Sequence, residues 1–239
     1  MERSRSASGT YRVSMATRDP ALSNVDLPDA EVVLPRRMTE EEFVAWCDED
    51  TRAEWVDGEV VMMSPMSDPH SDLVSWLGSV LRIFVEERDL GVVRPEMQTR
   101  FAGMRRRRVP DIWFVAKDRV GLIHRDHLEG PPDLAVEIVS PDSEARDWRE
   151  KYLEYEAAGV REYWVIDPAS KHAEAYALGA EEWQAVDPAV NRYRRLPEDH
   201  GVVASVVLPG FRLRVEWLWP ETRVKVLEAL AELNVRGTP

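Results

Sequence analysis

Asp133-Leu-Ala-Val-Glu-Ile-Val-Ser140, then a helical stretch, then Glu162-Tyr-Trp-Val-Ile-Asp167 decide the fold of this chain. The two outer segments are short, rich in β-branched and aromatic residues, and apolar except for their acids, as strands buried on both faces would be. Between them the polar turn Ser140-Pro-Asp-Ser143 leads into a helical pattern from about Ala145 to Ala158. Gly159 closes that pattern, since a glycine takes the left-handed C-terminal conformation without a Cβ penalty. Strand, helix and strand in this order form a crossover unit, which implies a parallel pair and a right-handed connection.

Upstream, Thr39 followed by Glu40, Glu41 and Glu42 is a helix start with a hydroxyl N-cap, acids facing the positive end of the dipole, and capping-box spacing; the helix should run to about Asp48. In Glu54-Trp-Val-Asp-Gly-Glu-Val-Val-Met-Met63 the Asp57-Gly58 pair separates two apolar stretches, which predicts a hairpin with a primed turn. From His70, Leu73, Leu77, Val80, Leu81 and Phe84 recur at helical spacing until near Asp89, before Gly91. Val92 to Phe101 and Val109 to Val115 read as strands joined through a loop that carries Arg105 to Arg108. Downstream, Lys171 to Leu178 and Glu182 to Val186 read as a hairpin, with short strands near Val202 to Leu208 and Phe211 to Val215 and a helix from Thr222 to Leu233. The class is α/β, a mixed sheet flanked by helices. Residues 1–35, without a sustained period, read as a flexible tail; residues 36–220 form a single domain, and residues 221–239 a C-terminal helix and tail.

Of 239 residues, 44% are hydrophobic and 31% charged, a balance that supports a packed core. The net charge of −13 opposes non-specific association with a polyanion, so a nucleic-acid ligand would need a local basic patch. Arg105 to Arg108 form the only dense cationic run, readable either as that patch or as a solvated hairpin tip after Gly103. Cys47 is the only cysteine, which excludes intramolecular disulfides and cysteine-based zinc sites. No apolar run approaches the roughly 18 residues that span a bilayer, and the first residues lack the apolar stretch of a secretory signal, so the cytoplasm is the expected compartment.

Asp111, in Val109-Pro-Asp111, and Glu137 stand on separate apolar strands. If those strands are neighbours, both carboxylates reach one cation, and magnesium needs little more, because it keeps several waters. Lys151, on the following helix, offers an ammonium to an attacking water or a scissile phosphate. Each residue also has a purely structural reading. The acids could cap strands or pair with arginines, and Lys151 could pair with Asp147 on a helix surface. His70, on the apolar side of its helix, could be a core histidine. Glu54 and Glu59, flanking the Asp57-Gly58 turn, either add a third carboxylate or form a hairpin ion pair. Nothing suggests a serine or cysteine nucleophile, and there is no glycine-rich phosphate loop.

Taken together, several motifs resemble the Uma2 family: Glu54 to Pro65 ending Met-Met-Ser-Pro, His70, Val109-Pro-Asp111, Leu134-Ala-Val-Glu-Ile-Val-Ser-Pro141, Asp147 with Lys151 and Tyr155, and Gly159-Val-Arg-Glu-Tyr-Trp-Val-Ile-Asp-Pro168. The resemblance covers residues 37–218. It implies a restriction-endonuclease-like fold of the PD-(D/E)XK superfamily. Asp111 then takes the place of the Pro-Asp acid and Glu137 that of the second acid, both as ligands of Mg²⁺ or Mn²⁺. The superfamily's lysine two positions later is Val139 here, so Lys151 stands as a migrated lysine. His70 and Glu59 match family positions and join the candidate catalytic set. The implied activity is Mg²⁺-dependent hydrolysis of phosphodiester bonds in DNA by a metal-activated water. In that picture Arg105, Arg106, Arg107 and Arg108 contact phosphates, and a homodimer follows by analogy with two-strand cleavage. The alternative is a catalytically inactive module of the same fold that binds nucleic acid or mediates assembly. The acidic net charge and displaced lysine favour the module; three polar groups in the right order favour the enzyme.

Overall fold

Thr39 starts the first helix, α1 (Glu40–Trp46), as its spacing predicts: its hydroxyl accepts the Glu42 N–H at 3.2 Å, and the Glu42 carboxylate accepts the Thr39 N–H at 2.8 Å. The computed structural model describes residues 37–48, 50–64, 67–140, 146–179 and 192–235. After α1, strands β1 (Ala53–Val56) and β2 (Glu59–Met62) form the expected hairpin. Asp57 and Gly58 have φ of 52° and 94°, as a primed turn requires. Helix α2 (Asp68–Glu87) follows and buries Leu73, Leu77, Leu81 and Phe84 along one stripe.

Then come β3 (Gly91–Pro95), β4 (Gln98–Phe101), β5 (Arg106–Arg108), β6 (Ile112–Ala116), β7 (His127–Glu129) and β8 (Leu134–Ile138). A π-helical turn, Arg146–Lys151, runs into α3 (Tyr152–Ala158), which Gly159 ends with φ of 87°. The chain continues through β9 (Glu162–Asp167), β10 (His172–Leu178), β11 (Tyr193–Arg195), β12 (Glu198–Asp199), β13 (Val202–Ala204), β14 (Arg212–Arg214) and α4 (Val226–Glu232).

Among the described residues these strands form a six-stranded sheet in the order β11-β10-β9-β8-β6-β3, a five-stranded sheet β2-β1-β5-β4-β7, and a three-stranded sheet β12-β13-β14. The predicted crossover is present: β8 and β9 are parallel, with Glu137 opposite Val165. Alternation along β8 sends Leu134, Val136 and Ile138 into the large apolar core shared with α2, while Ala135 and Val139 join the core under α3. Ala229, Leu230 and Leu233 bring α4 into the α2 core. The architecture is the expected one, mixed sheets flanked by helices. No described helix is long and apolar enough to cross a membrane.

Three local expectations are corrected. Val92 to Phe101 is not one strand: at Glu96, where φ is 48°, the chain turns, and β3 and β4 enter different sheets. The arginine run is not a loop either. Arg106 to Arg108 form β5, between β1 and β4 inside the five-stranded sheet. The final helix starts at Val226 rather than Thr222, because Thr222 is held in a turn after Pro220 by its N–H bond to the Trp219 carbonyl. Residues 1–35 and the strand expected at residues 182–186 lie outside the described residues; β10 pairs instead with β11.

Candidate active site

The segment Val109-Pro110-Asp111 carries the chain from β5 in one sheet to β6 in the other, so Asp111 stands where the two larger sheets meet. In the antiparallel β6–β8 pair Ile112 faces Val136, and extending that register by one residue sets Asp111 opposite Glu137. Directly opposed residues project on one face, so the two acids are neighbours. Both are buried, at 5% and 2% exposure. Asp111 is fixed from two sides: its Oδ2 accepts the Ile138 N–H at 2.6 Å, and its Oδ1 lies 3.0 Å from His70 Nε2, in the first turn of α2.

Glu137 receives its partners from the helix above. Lys151 Nζ donates to Oε2 at 2.7 Å and the Tyr155 hydroxyl to Oε1 at 2.5 Å. Lys151 and Tyr155 are four residues apart, which puts both on the helix face turned toward the sheet. Lys151 is itself buried, and its Nζ also lies 3.6 Å from Glu54 Oε1. Burial and the neighbouring Glu137 and Glu54 charges push the Tyr155 phenol well above its ordinary value, so it remains a donor.

Glu54 completes the cluster from β1. Its Oε2 accepts Arg108 Nη1 at 2.7 Å and its Oε1 the Val109 N–H at 3.1 Å. Arg108 is 1% exposed and is gripped from its other side by Glu154, with Nε 2.8 Å from Oε2. Burial alone would raise the Glu54 carboxyl. The Lys151 ammonium and the Arg108 guanidinium outweigh it and hold the group below the ordinary carboxylate value.

Two carboxylates, Glu54 and Glu137, thus face the Lys151 ammonium, Glu54 also meets a guanidinium that Glu154 shares, and Asp111 lies opposite Glu137 in the strand register. Among the described residues no group of three or more His, Cys, Asp or Glu is arranged to hold a metal ion. The Asp111–Glu137 pair, opposed in the strand register, would offer a cation oxygen atoms alone. It fits magnesium or manganese, which complete their shells with water and substrate oxygens, and does not fit zinc, which takes three or four protein ligands.

Of the residues singled out from sequence, Asp111, Glu137, Lys151 and His70 come together. Glu59 does not: β2 is the edge strand of its sheet, and the Glu59 carboxylate is exposed, 3.5 Å from Arg37. The arginine run does not make the expected cationic patch. Arg107 and Arg108 are buried, Arg107 bonding Glu40 at 2.8 Å. Arg106 bonds Glu154 at 3.1 Å and Asp57 at 2.7 Å. Only Arg105 points outward, its guanidinium 5.8 Å from the centre of the Trp55 ring. The reason lies in the partners: each inward guanidinium meets a carboxylate from α1, β1 or α3, whose attraction offsets part of the cost of leaving water. Tyr155 and Glu154 were not read as site residues, although Tyr155 stands four residues beyond Lys151 on the same helical face.

A family model named Uma2 and described as "Putative restriction endonuclease" matches residues 40–216. Among solved structures, the chain is similar to the crystal structure of "a putative nuclease belonging to DUF820" from Anabaena variabilis, with 19% identity and a TM-score of 0.62 over 76% of this chain and 97% of that one. At that identity the likeness speaks for the fold alone. No curated protein matches.

Proposed function

The chain belongs to the Uma2 family, and from that premise we propose that it is a divalent-cation-dependent endonuclease that hydrolyses phosphodiester bonds in DNA. The observation that carries this is the meeting of Asp111, Glu137 and Lys151, from two strands and a helix, in one buried cluster. Asp111 and Glu137 would hold Mg²⁺ or Mn²⁺, which supplies Lewis acidity at the scissile phosphate and lowers the pKa of a bound water.

The chain's own groups do the rest. His70 and the Ile138 N–H fix the Asp111 carboxylate, and Tyr155 fixes that of Glu137, so neither acid must reorganise when substrate arrives. Lys151 brings a positive charge beside Glu137, where it orients the attacking water and offsets charge growing on the phosphate oxygens. Water adds at phosphorus and gives up one proton to solvent, the bond to the leaving oxygen breaks with its electron pair, and that oxygen takes a proton from solvent, so one water is consumed for each bond cleaved.

A second reading, a catalytically inactive module of the same fold that mediates assembly rather than binding nucleic acid, is favoured by one observation: Arg107 and Arg108 turn inward, on a chain of net charge −13. Supercoiled plasmid incubated with Mg²⁺ or Mn²⁺ separates the two. Nicking by the wild type that disappears in Asp111→Ala and Lys151→Ala supports the enzyme. A wild type inert on plasmid, linear and single-stranded DNA supports the module.

A further inference from the structure

We infer that Glu54 is a positioning residue that governs how firmly Lys151 holds Glu137, and thereby how readily Glu137 accepts a divalent cation; the inference rests on the metal-dependent reading above. One ammonium lies between two carboxylates. Lys151 Nζ is 2.7 Å from Glu137 Oε2 and 3.6 Å from Glu54 Oε1. The Glu137 carboxylate that the ammonium covers is the same one a cation would need. Two positive charges on one buried carboxylate repel strongly, because few solvent dipoles intervene. Binding the cation therefore requires Lys151 to yield part of its contact with Glu137.

Glu54 is placed to receive it. Its Oε1 accepts the Val109 N–H at 3.1 Å, while its Oε2 is tied to Arg108 at 2.7 Å. Arg108 is clamped in turn by Glu154, so the carboxylate cannot follow the ammonium and acts as a fixed counter-pole. Extending the β1–β5 register, in which Trp55 faces Arg107, sets Glu54 directly opposite Arg108, so the clamp is part of the sheet rather than of a loop. The cation and the ammonium then share three carboxylates between them instead of competing for two.

Titration calorimetry of Mg²⁺, or of Mn²⁺, into the full chain tests this with four proteins: wild type, Glu54→Gln, Lys151→Met and the double variant. Lys151→Met is expected to bind the cation at least about threefold tighter, since a competitor is gone. Glu54→Gln is expected to bind about tenfold more weakly in the wild-type background but less than about threefold more weakly in the Lys151→Met background, a coupling typical of side chains in contact. An equal loss in both backgrounds would mean that Glu54 acts on the cation by its charge alone, and overturns the inference. So does unchanged or weaker binding by Lys151→Met. A wild type that binds neither cation removes the metal-dependent reading itself, and this inference with it. Melting curves without cation establish that each variant is folded; if Glu54→Gln is not, Glu54→Asp, which keeps the charge but shortens its reach to Lys151, takes its place in both backgrounds with the same expected difference between them.

Discussion

Glu54 and Glu162 are at most 1% exposed, each on a strand of a larger sheet, and the protein treats their charges in opposite ways. Glu54 meets a guanidinium and an ammonium, and its carboxyl is held below the ordinary value in spite of burial. Glu162, at the start of β9, accepts four bonds from neutral donors: Trp164 Nε1 at 2.6 Å on one oxygen, and Ser205 Oγ at 2.9 Å, Val206 N–H at 2.8 Å and Val207 N–H at 3.0 Å on the other. There burial dominates and raises the carboxyl despite those bonds. Glu162 is a latch that ties the loop before β14 to the large sheet. Its worth lies in the shape of its donors. In the Glu54 region it is charge that is maintained, and maintained charge is what a cation or phosphate site requires.

The largest expected effect of breaking this contrast is on activity. Glu137→Gln should lower plasmid nicking by more than about a hundredfold, at least the loss seen when a ligand's supporting partner is removed. Glu162→Gln, measured beside it, should stay within about twofold; comparable losses from both would dissolve the distinction between a charged site and a neutral latch.

Next comes pH. Glu54, with its folded value lowered, contributes stability above the ordinary carboxylate value of 4.5 and loses it as pH falls through the lower folded value. Urea denaturation should therefore show a gap between wild type and Glu54→Gln of about 3 kcal/mol near neutrality, shrinking in acid. Glu162, with its folded value raised, contributes fully below 4.5 and loses that contribution as pH rises through the folded value. The gap to Glu162→Gln, about 1–3 kcal/mol in acid, should narrow toward neutral pH. Slopes of the same sign would contradict the assignment.

The smallest effect belongs to Glu59, on the strand paired with that of Glu54. Exposed and paired only loosely with Arg37, it should tolerate Glu59→Gln with a stability change under about 0.5 kcal/mol and unaltered nicking. A marked loss of nicking would draw the edge strand into the site after all.

Local grammar was readable from sequence wherever one segment decides its own conformation. The Thr39 capping box, the Asp57-Gly58 turn, the Gly159 helix end and the two apolar strands all form close to where their residues place them. The meeting of Asp111 and Glu137 followed from those strands being neighbours. What escaped was set by distant partners. Arg106 to Arg108 look like a solvated tip until Glu40, Glu54 and Glu154 are known to converge on them from three other elements. Glu54 and Glu59 look equivalent on either side of their turn, and only the choice of β1 rather than β2 as the inner strand separates them. The break at Glu96 had a local signal in the adjacent Pro95, which strand interiors disfavour, but the turn itself is held by a long-range bond from the Glu96 N–H to the Asp111 carbonyl at 3.1 Å.

The π-helical turn at Arg146–Lys151 leaves a mark of its own on this chain's tolerance to length change. A π turn holds one residue more than the α turn it replaces, the signature of an insertion absorbed without unwinding the helix. Deleting a single residue there would turn the π turn into an α turn and, because the surplus residue is what the wider turn absorbs, would leave the chain on either side in nearly its present orientation. Lys151, the last residue of the turn, and Tyr155 beyond it would keep their aim at Glu137. A deletion between Lys151 and Tyr155 would by contrast rotate Lys151 by about 100° away from the face that Tyr155 turns to Glu137, so tolerance of the first deletion and not of the second would mark the turn as the place where this helix can lose a residue.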